Sequence, residues 1–187
     1  MSRLHQNGFT LIELLIALAI MSTVYALAAP SVEQMFERTR AIAGVNRLVG
    51  AVNLTRHTAV QFGQIATLCG LRPNGRCGAD WGGRLTVFLD LNQNAWLEEE
   101  DQVINTIAPV SASTSVRWRA FQNKQYLQMT PLGYTNFQNG NFVICSKEDN
   151  IATARQLIVN IQGRTRLNHR TNTDDLPIDR RGRLLRC

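Results

Sequence analysis

The chain has 187 residues, 44 % of them hydrophobic, and a formal net charge of +6. That length suits an N-terminal helix plus one globular domain of ordinary size, not a multidomain assembly. The charge is unevenly placed. Residues 151–187 hold eight Arg against Asp174, Asp175 and Asp179, a net of +5, while the first 150 residues carry a net of +1. The basic character belongs to the C-terminal end, as in an arm that meets a polyanion.

In chain order, a short basic leader (Arg3, His5) ends at Gly8, and an almost wholly apolar run follows to Ala29, broken by one acid, Glu13. The run is long enough to span a bilayer as a helix, which needs ~20 apolar residues. A secretory signal peptide has a shorter apolar core with a small-x-small cleavage site after it. Here the processing-like junction, Gly8-Phe9, lies before the run, so cleavage leaves the hydrophobic helix on the mature protein. An isolated carboxylate in hydrocarbon is costly, which makes Glu13 a functional candidate. The alternative is an ordinary signal anchor with a stray acid.

Gly8, Phe9, Thr10, Leu11, Ile12 and Glu13 resemble, without a gap, the class III signal of type IV prepilins and of type II secretion pseudopilins. The resemblance implies that a membrane prepilin peptidase cuts after Gly8 and that the new N-terminal residue, Phe9, is methylated. It also implies assembly with other major and minor pilins in a filament. In a filament of packed helices Glu13 could pair with the free amine of Phe9 on a neighbour.

Pro30 lacks an N–H and is expected to kink or locally melt the helix. From Ser31 the pattern turns amphipathic. Ala41, Val45, Leu48, Val52 and Ala59 recur at steps of three and four, with one skipped turn at Thr55, and Arg38, Arg47 and Arg56 fall off the stripe. A helix from Phe9 to about Phe62 would be ~80 Å long at 1.5 Å per residue, with Gly44 and Gly50 weakening it slightly. After Gly63 the period shortens to two. Candidate strands are Gln64–Cys69, Arg84–Asp90, Gln102–Ile107, Ser115–Phe121, Tyr126–Thr130, Asn141–Ser146 and Arg155–Ile161, separated by Gly-, Pro- and Asn-rich turns. Such punctuation points to an antiparallel β domain. The stretch from Leu167 to Cys187 has few apolar residues and reads as an extended tail.

Cys69, Cys77, Cys145 and Cys187 form no C-x-x-C and have no His pair nearby, so no zinc site is expected. The N-terminal anchor places the domain outside the cytoplasm, where disulfides persist. Four Cys allow three pairings. Cys69–Cys77 would close a short loop. Cys145–Cys187 is favoured because a terminal Cys after a long polar tail has no packing reason to exist. Free buried thiols are the alternative.

Thr130-Pro131-Leu132-Gly133, Phe142-Val143-Ile144-Cys145 and Gly163-Arg164-Thr165-Arg166, after Trp81-Gly82-Gly83 and Val87-Phe88-Leu89-Asp90, resemble in their order the FimT/GspH family of minor pilins and pseudopilins. The resemblance covers nearly the whole chain. It implies an α+β, pilin-like fold, with a long N-terminal helix packed on two antiparallel β-sheets. The resulting division is a leader over 1–8, a membrane or filament-core helix over 9–30, an amphipathic helix over 31–62, a β-rich domain over 63–166 and an Arg-rich tail over 167–187. The implied location is the inner membrane, single-pass with a periplasmic domain, then the extracellular pilus.

GspH-like members build the tip of a secretion pseudopilus, and some FimT-like members bind DNA in natural transformation. Gly163-Arg164-Thr165-Arg166 matches the G-R-x-R pattern associated with DNA binding there, and Arg170, Arg180, Arg181, Arg183 and Arg186 extend the charge. Guanidinium forks suit phosphate. A strand with Arg164 and Arg166 on one face sets two forks ~7 Å apart, near the phosphate repeat of one DNA strand. No groove-reading module is visible, so contact with double-stranded DNA is expected to be sequence-independent. The alternative is a solvated tail partly neutralised by Asp174, Asp175 and Asp179.

Asp90, Asn92, Asn94 and Asp101 fall at EF-hand spacing, but Ala95 stands where that loop needs Gly and Asp101 where it wants Glu. A hairpin with Asx turns is the preferred reading. Glu98-Glu99-Glu100-Asp101 reads as a solvated loop, His57 and His169 as structural or exposed, and Trp81, Trp96 and Trp118 as packing residues. No Ser/His/Asp set, P-loop or nucleophile elbow occurs. No enzyme, cofactor or metal is expected.

Overall fold

A computed structural model of the chain describes residues 10–146 and 150–187. Its long helix, α1, covers Leu11–Phe62 and is continuous through Pro30. The expected melting does not occur. A proline removes only its own N–H from the ladder, and the rest of a 52-residue helix holds on either side. The described residues up to Glu37 and those from Arg38 onward form two compact units.

In the first unit α1 is long and apolar enough to cross a membrane, and its window of highest hydropathy buries nothing within the chain itself. The Ser22 and Thr23 hydroxyls donate back to the Ala19 carbonyl at 2.9 and 2.8 Å, which satisfies them without water. Thr10 and Glu13 form a capping box at the start of the helix. The Glu13 N–H donates to Thr10 Oγ1 (3.3 Å), and the Thr10 N–H and hydroxyl donate to Glu13 Oε2 (2.9 and 3.0 Å).

In the second unit the C-terminal half of α1 packs on two antiparallel sheets. The strands are β1 (Ala66–Leu71), β2 (Cys77–Gly78), β3 (Leu85–Leu89), β4 (Gln102–Ile107), β5 (Thr114–Ala120), β6 (Leu127–Met129), β7 (Gly140–Ser146), β8 (Arg155–Val159) and β9 (Thr165–Asn168). One sheet runs β2-β1-β3-β4, with β6 also pairing β1; the other runs β5-β7-β8-β9. This is the pilin-like α+β architecture expected from the sequence.

The core lies between helix and sheets. Val45, Leu48, Val52 and Ala59 meet Leu68, Leu85, Val87 and Leu127 of the first sheet and Trp118, Phe142, Ile144, Leu157 and Val159 of the second. Trp81, Trp118 and Phe142 form an aromatic centre with ring centroids 4.2 to 5.5 Å apart. Trp96 instead sits at the surface under the Arg76 guanidinium, 4.7 Å from the ring centroid. Thr55 fills the skipped turn of the stripe. It is fully buried because its hydroxyl donates to the Ala51 carbonyl at 2.8 Å.

Two arginines off the stripe join the structure. Arg47 donates to the backbone carbonyls of Ala108, Trp81 and Gly83. Burial lowers its pKa, and the Asp80 carboxylate works in the opposite direction. Arg56 Nε donates to the Gly133 carbonyl at 2.9 Å.

The expectation of an extended C-terminal tail needs correction. Thr165 to Asn168 form a fourth strand, and the remainder folds back. Isolated bridges join Thr171 with Pro177 and Ile178 with Leu184, and Ile178 and Leu185 are buried. Alternation in β9 is masked by arginine, since Arg166 points out while Leu167 packs on the core.

Candidate functional site

The Gly163–Arg166 segment is a hairpin end. Gly163 N–H donates to the Asn160 carbonyl (3.0 Å), and Asn160 N–H to the Arg164 carbonyl (3.1 Å). Arg164 N–H donates to Asn160 Oδ1 (2.9 Å). Gly163 has φ +69°, and a Cβ there would lie 2.6 Å from the Gly133 carbonyl oxygen. Only glycine meets both conditions. The Thr130–Gly133 turn supports the hairpin from below, and Arg56 fixes that turn. Thr135 N–H donates to the Ile161 carbonyl at 2.8 Å on the other side. The hairpin is thus rigidly seated, and Arg164 and Arg166 are both exposed on it.

Beyond β9, Asn168 Nδ2 donates to the Ile178 carbonyl (2.7 Å) and to Gln156 Oε1 (2.8 Å). This ties the returning tail to the sheet. Asn172 Oδ1 accepts from the N–H groups of Asp174 and Leu176, and Asp179 Oδ1 accepts from those of Arg181 and Arg183. Arg183 also donates from Nε and Nη2 to Asp179 Oδ2, at 3.0 and 2.8 Å. The backbone hydrogen bond from Arg183, followed by its side chain and the Arg181 N–H, holds the Asp179 carboxyl below its ordinary pKa. Leu185 then enters a small apolar cluster with Val143, Cys145 and Ala154, against which Cys187 packs.

The disulfides join Cys69 to Cys77 and Cys145 to Cys187, with Cα separations of 5.5 and 5.7 Å. The second fastens the last residue of the chain to β7. The tail therefore lies on the face of the second sheet that points away from α1.

Arg164, Arg166, Arg170, Arg180, Arg181, Arg183 and Arg186 are all exposed. Among the described residues, Arg183 is the one of these seven in an ion pair. Arg170 Nη1 donates to the Arg180 carbonyl at 3.2 Å. The sequence reading missed Arg117 and Arg119, which are exposed on β5. The signal was present, because Val116-Arg117-Trp118-Arg119-Ala120 alternates with period two.

The other candidates are accounted for structurally. Asp90 is buried; it accepts from Thr67 Oγ1 (2.7 Å), Gln128 Nε2 (2.9 Å), Ala95 N–H (3.0 Å) and Asn94 N–H (3.1 Å). Asn92 and Asn94 form Asx turns. Glu98 and Asp101 are not merely solvated. Glu98 Oε2 accepts from the side-chain amides of Asn92 and Asn94, and Asp101 from the N–H groups of Leu91 and Glu98. Among the described residues no group of three or more His, Cys, Asp or Glu is placed to hold a metal. His57 and His169 are exposed. Gly8 and Phe9, the processing junction, lie outside the described residues, as do Arg3 and His5.

Two crystal forms of one solved protein share this architecture. The type IV minor pilin FimU of Pseudomonas aeruginosa aligns in one crystal form at 17 % identity and TM-score 0.57, over 76 % of this chain and 96 % of that one. A second crystal form aligns at 16 % identity and TM-score 0.53, over 72 % and 95 %. The minor pseudopilin EpsH of Vibrio cholerae aligns at 13 % identity and TM-score 0.49, over 69 % and 96 %. No curated protein sequence matches the chain. The family model of the prokaryotic N-terminal methylation motif matches residues 3–29, which implies processing by prepilin peptidase and assembly with other pilins. The family model of the type II transport protein GspH matches residues 44–163. The chain therefore belongs to the GspH family of type II transport proteins.

Proposed function

We propose that the chain is a minor type IV pilin of the FimT kind, which binds double-stranded DNA without sequence preference during uptake in natural transformation. The observation that carries this reading is the seating of Arg164 and Arg166 on a pinned hairpin, beside a tail whose last residue is covalently held to the sheet. A backbone fixed in this way sets where the two arginines leave the surface, and their planar forks suit phosphate. Arg170, Arg180, Arg181 and Arg186 extend the footprint. Arg183 contributes less, because Asp179 already occupies its fork.

The residues assigned to processing are Gly8 and Phe9, and Glu13 is assigned to assembly. In the isolated chain the Glu13 carboxylate is held by Thr10. In the filament we assign it to the Phe9 amine of a neighbour. The protein is anchored through its N-terminal helix in the inner membrane and then enters an extracellular pilus.

The second reading is a GspH-like pseudopilin of type II secretion, favoured by the description of the matching family. A pilus-assembly subunit without DNA affinity is the third. Transformation frequency separates them. Arg164→Gln with Arg166→Gln should lower DNA uptake while piliation stays normal. Normal uptake with lost secretion would establish the second reading, and lost piliation the third.

A further inference from the structure

We infer that the nucleic-acid surface has a second wall, formed by Arg117 and Arg119 on β5, and that the two walls fit the phosphate rims of a duplex groove. The inference rests on the DNA-binding reading above and adds to it a site on the opposite edge of the sheet.

The register supplies the geometry. Arg119 is paired with Asn141, Asn141 with Ile158, and Ile158 with Arg166. These four residues form one row across β5, β7, β8 and β9. The next row is Arg117, Val143, Gln156 and Asn168. Both rows point away from the main core. Their neighbours Val116, Trp118, Ala120, Phe142, Ile144, Leu157, Val159 and Leu167 pack into that core, on the α1 side.

Arginine therefore stands on one face at both edges of the sheet. The two edges are three interstrand steps apart, ~14 Å at about 4.8 Å per step. The major groove of B-DNA is ~12 Å wide between its phosphate rims, so arginine side chains on the two edges can reach one rim each. Between the edges the row is uncharged, with Asn141 and Ile158 half-buried. None of the four strands contains an acidic residue. Among the described residues, no carboxylate forms an ion pair with Arg117 or Arg119.

The tail crosses the Arg117–Asn168 row, where Leu185 packs on Val143 and the Ile178 carbonyl accepts from Asn168, and the Arg119–Arg166 row, with Asn141 and Ile158 half-buried, stays accessible beside it. Arg119 and Arg166 stand at the two ends of that row. Because α1 packs on the opposite face, a rod-shaped polyanion laid on this one meets no part of the packed helix.

The test is a salt titration of duplex binding by the full chain in non-ionic detergent. Four proteins are compared: wild type, Arg117→Gln/Arg119→Gln, Arg164→Gln/Arg166→Gln, and Arg72→Gln/Arg84→Gln. The last carries the same charge change on exposed arginines in or beside the first sheet. Each phosphate contact contributes about 0.9 to the log–log slope. The β5 pair should lower the slope by about 1.8 and weaken binding roughly 10- to 60-fold at 0.1 M salt, while the Arg72/Arg84 pair stays near wild type. Binding by wild type that falls in the Arg164/Arg166 variant, with the β5 variant matching the Arg72/Arg84 control, would overturn the second wall and leave the DNA reading intact. No duplex binding by wild type would remove the DNA reading itself, and the second wall with it.

Discussion

Arg56 Nε and the Gly133 carbonyl are joined at 2.9 Å, and this contact connects the long helix to the hairpin that carries Arg164 and Arg166. Gly163 approaches the same carbonyl so closely that no side chain fits between them. Three segments far apart in sequence thus converge on one oxygen.

That convergence makes Gly163 a sensitive position. Gly163→Ala places a Cβ at 2.6 Å from the Gly133 oxygen in a left-handed backbone conformation. It should destabilise the domain by about 2–4 kcal/mol. Urea denaturation followed by near-ultraviolet circular dichroism, which reports on Trp81 and Trp118, checks this. An unchanged midpoint would mean that the hairpin does not rest on the turn as described.

Asp90 is expected to be structural. Asp90→Ala leaves the Thr67 hydroxyl and the Gln128 amide, both buried, without their acceptor. The loss should be roughly 2–4 kcal/mol. Calcium should not change the melting temperature of wild type. A calcium-dependent rise would show that the loop serves a cation as well as the fold.

The Cys145–Cys187 bond should govern the order of the tail. Its sequence separation is 42, for which the chain-entropy account gives ~4 kcal/mol. Cys187→Ser should accelerate trypsin cleavage at Arg180 and Arg181, because the freed segment can enter a protease. Equal cleavage rates with and without the bond would show that the Asn168 contacts alone hold the tail.

The Asp179 turn should open in acid. Its folded pKa is depressed, so its contribution is complete above the ordinary carboxylate value. The contribution fades as pH falls from there through the lowered folded value. The amide resonances of Arg181 and Arg183, both bonded to this carboxylate, should shift together over that range. Asp179→Asn should abolish the shift. Titration of these amides at the ordinary carboxylate value would contradict the depressed pKa.

Much of this architecture is legible in the chain. The Gly8–Glu13 signal and the Ala41–Ala59 stripe are local patterns, and the alternating strands between Ala66 and Val159 are bounded by strong turn formers. Three features are less accessible, for physical reasons. Arg47 and Arg56 bind backbone carbonyls 34 to 77 residues away, and any residue in the right place presents such a carbonyl. β9 hides because arginine fills its outward position, and the tail because its cover is two apolar residues, Ile178 and Leu185. The Thr10-x-x-Glu13 capping box, by contrast, is a sequence signature that an intramembrane acid draws attention away from.

The most direct test of the account is the salt dependence of duplex binding by wild type and by Arg164→Gln/Arg166→Gln. With three to five arginines engaged, wild-type affinity should fall by ~10- to 1,000-fold between 50 and 200 mM salt. The same should hold for duplexes of unrelated sequence, since phosphate contacts carry no sequence information. The double variant should bind more weakly with a slope shallower by about two. It should melt as wild type does, because exposed charges add little to stability. Binding that is absent in wild type, or equal in slope and strength in the variant, would contradict DNA recognition and leave the pseudopilin reading in its place.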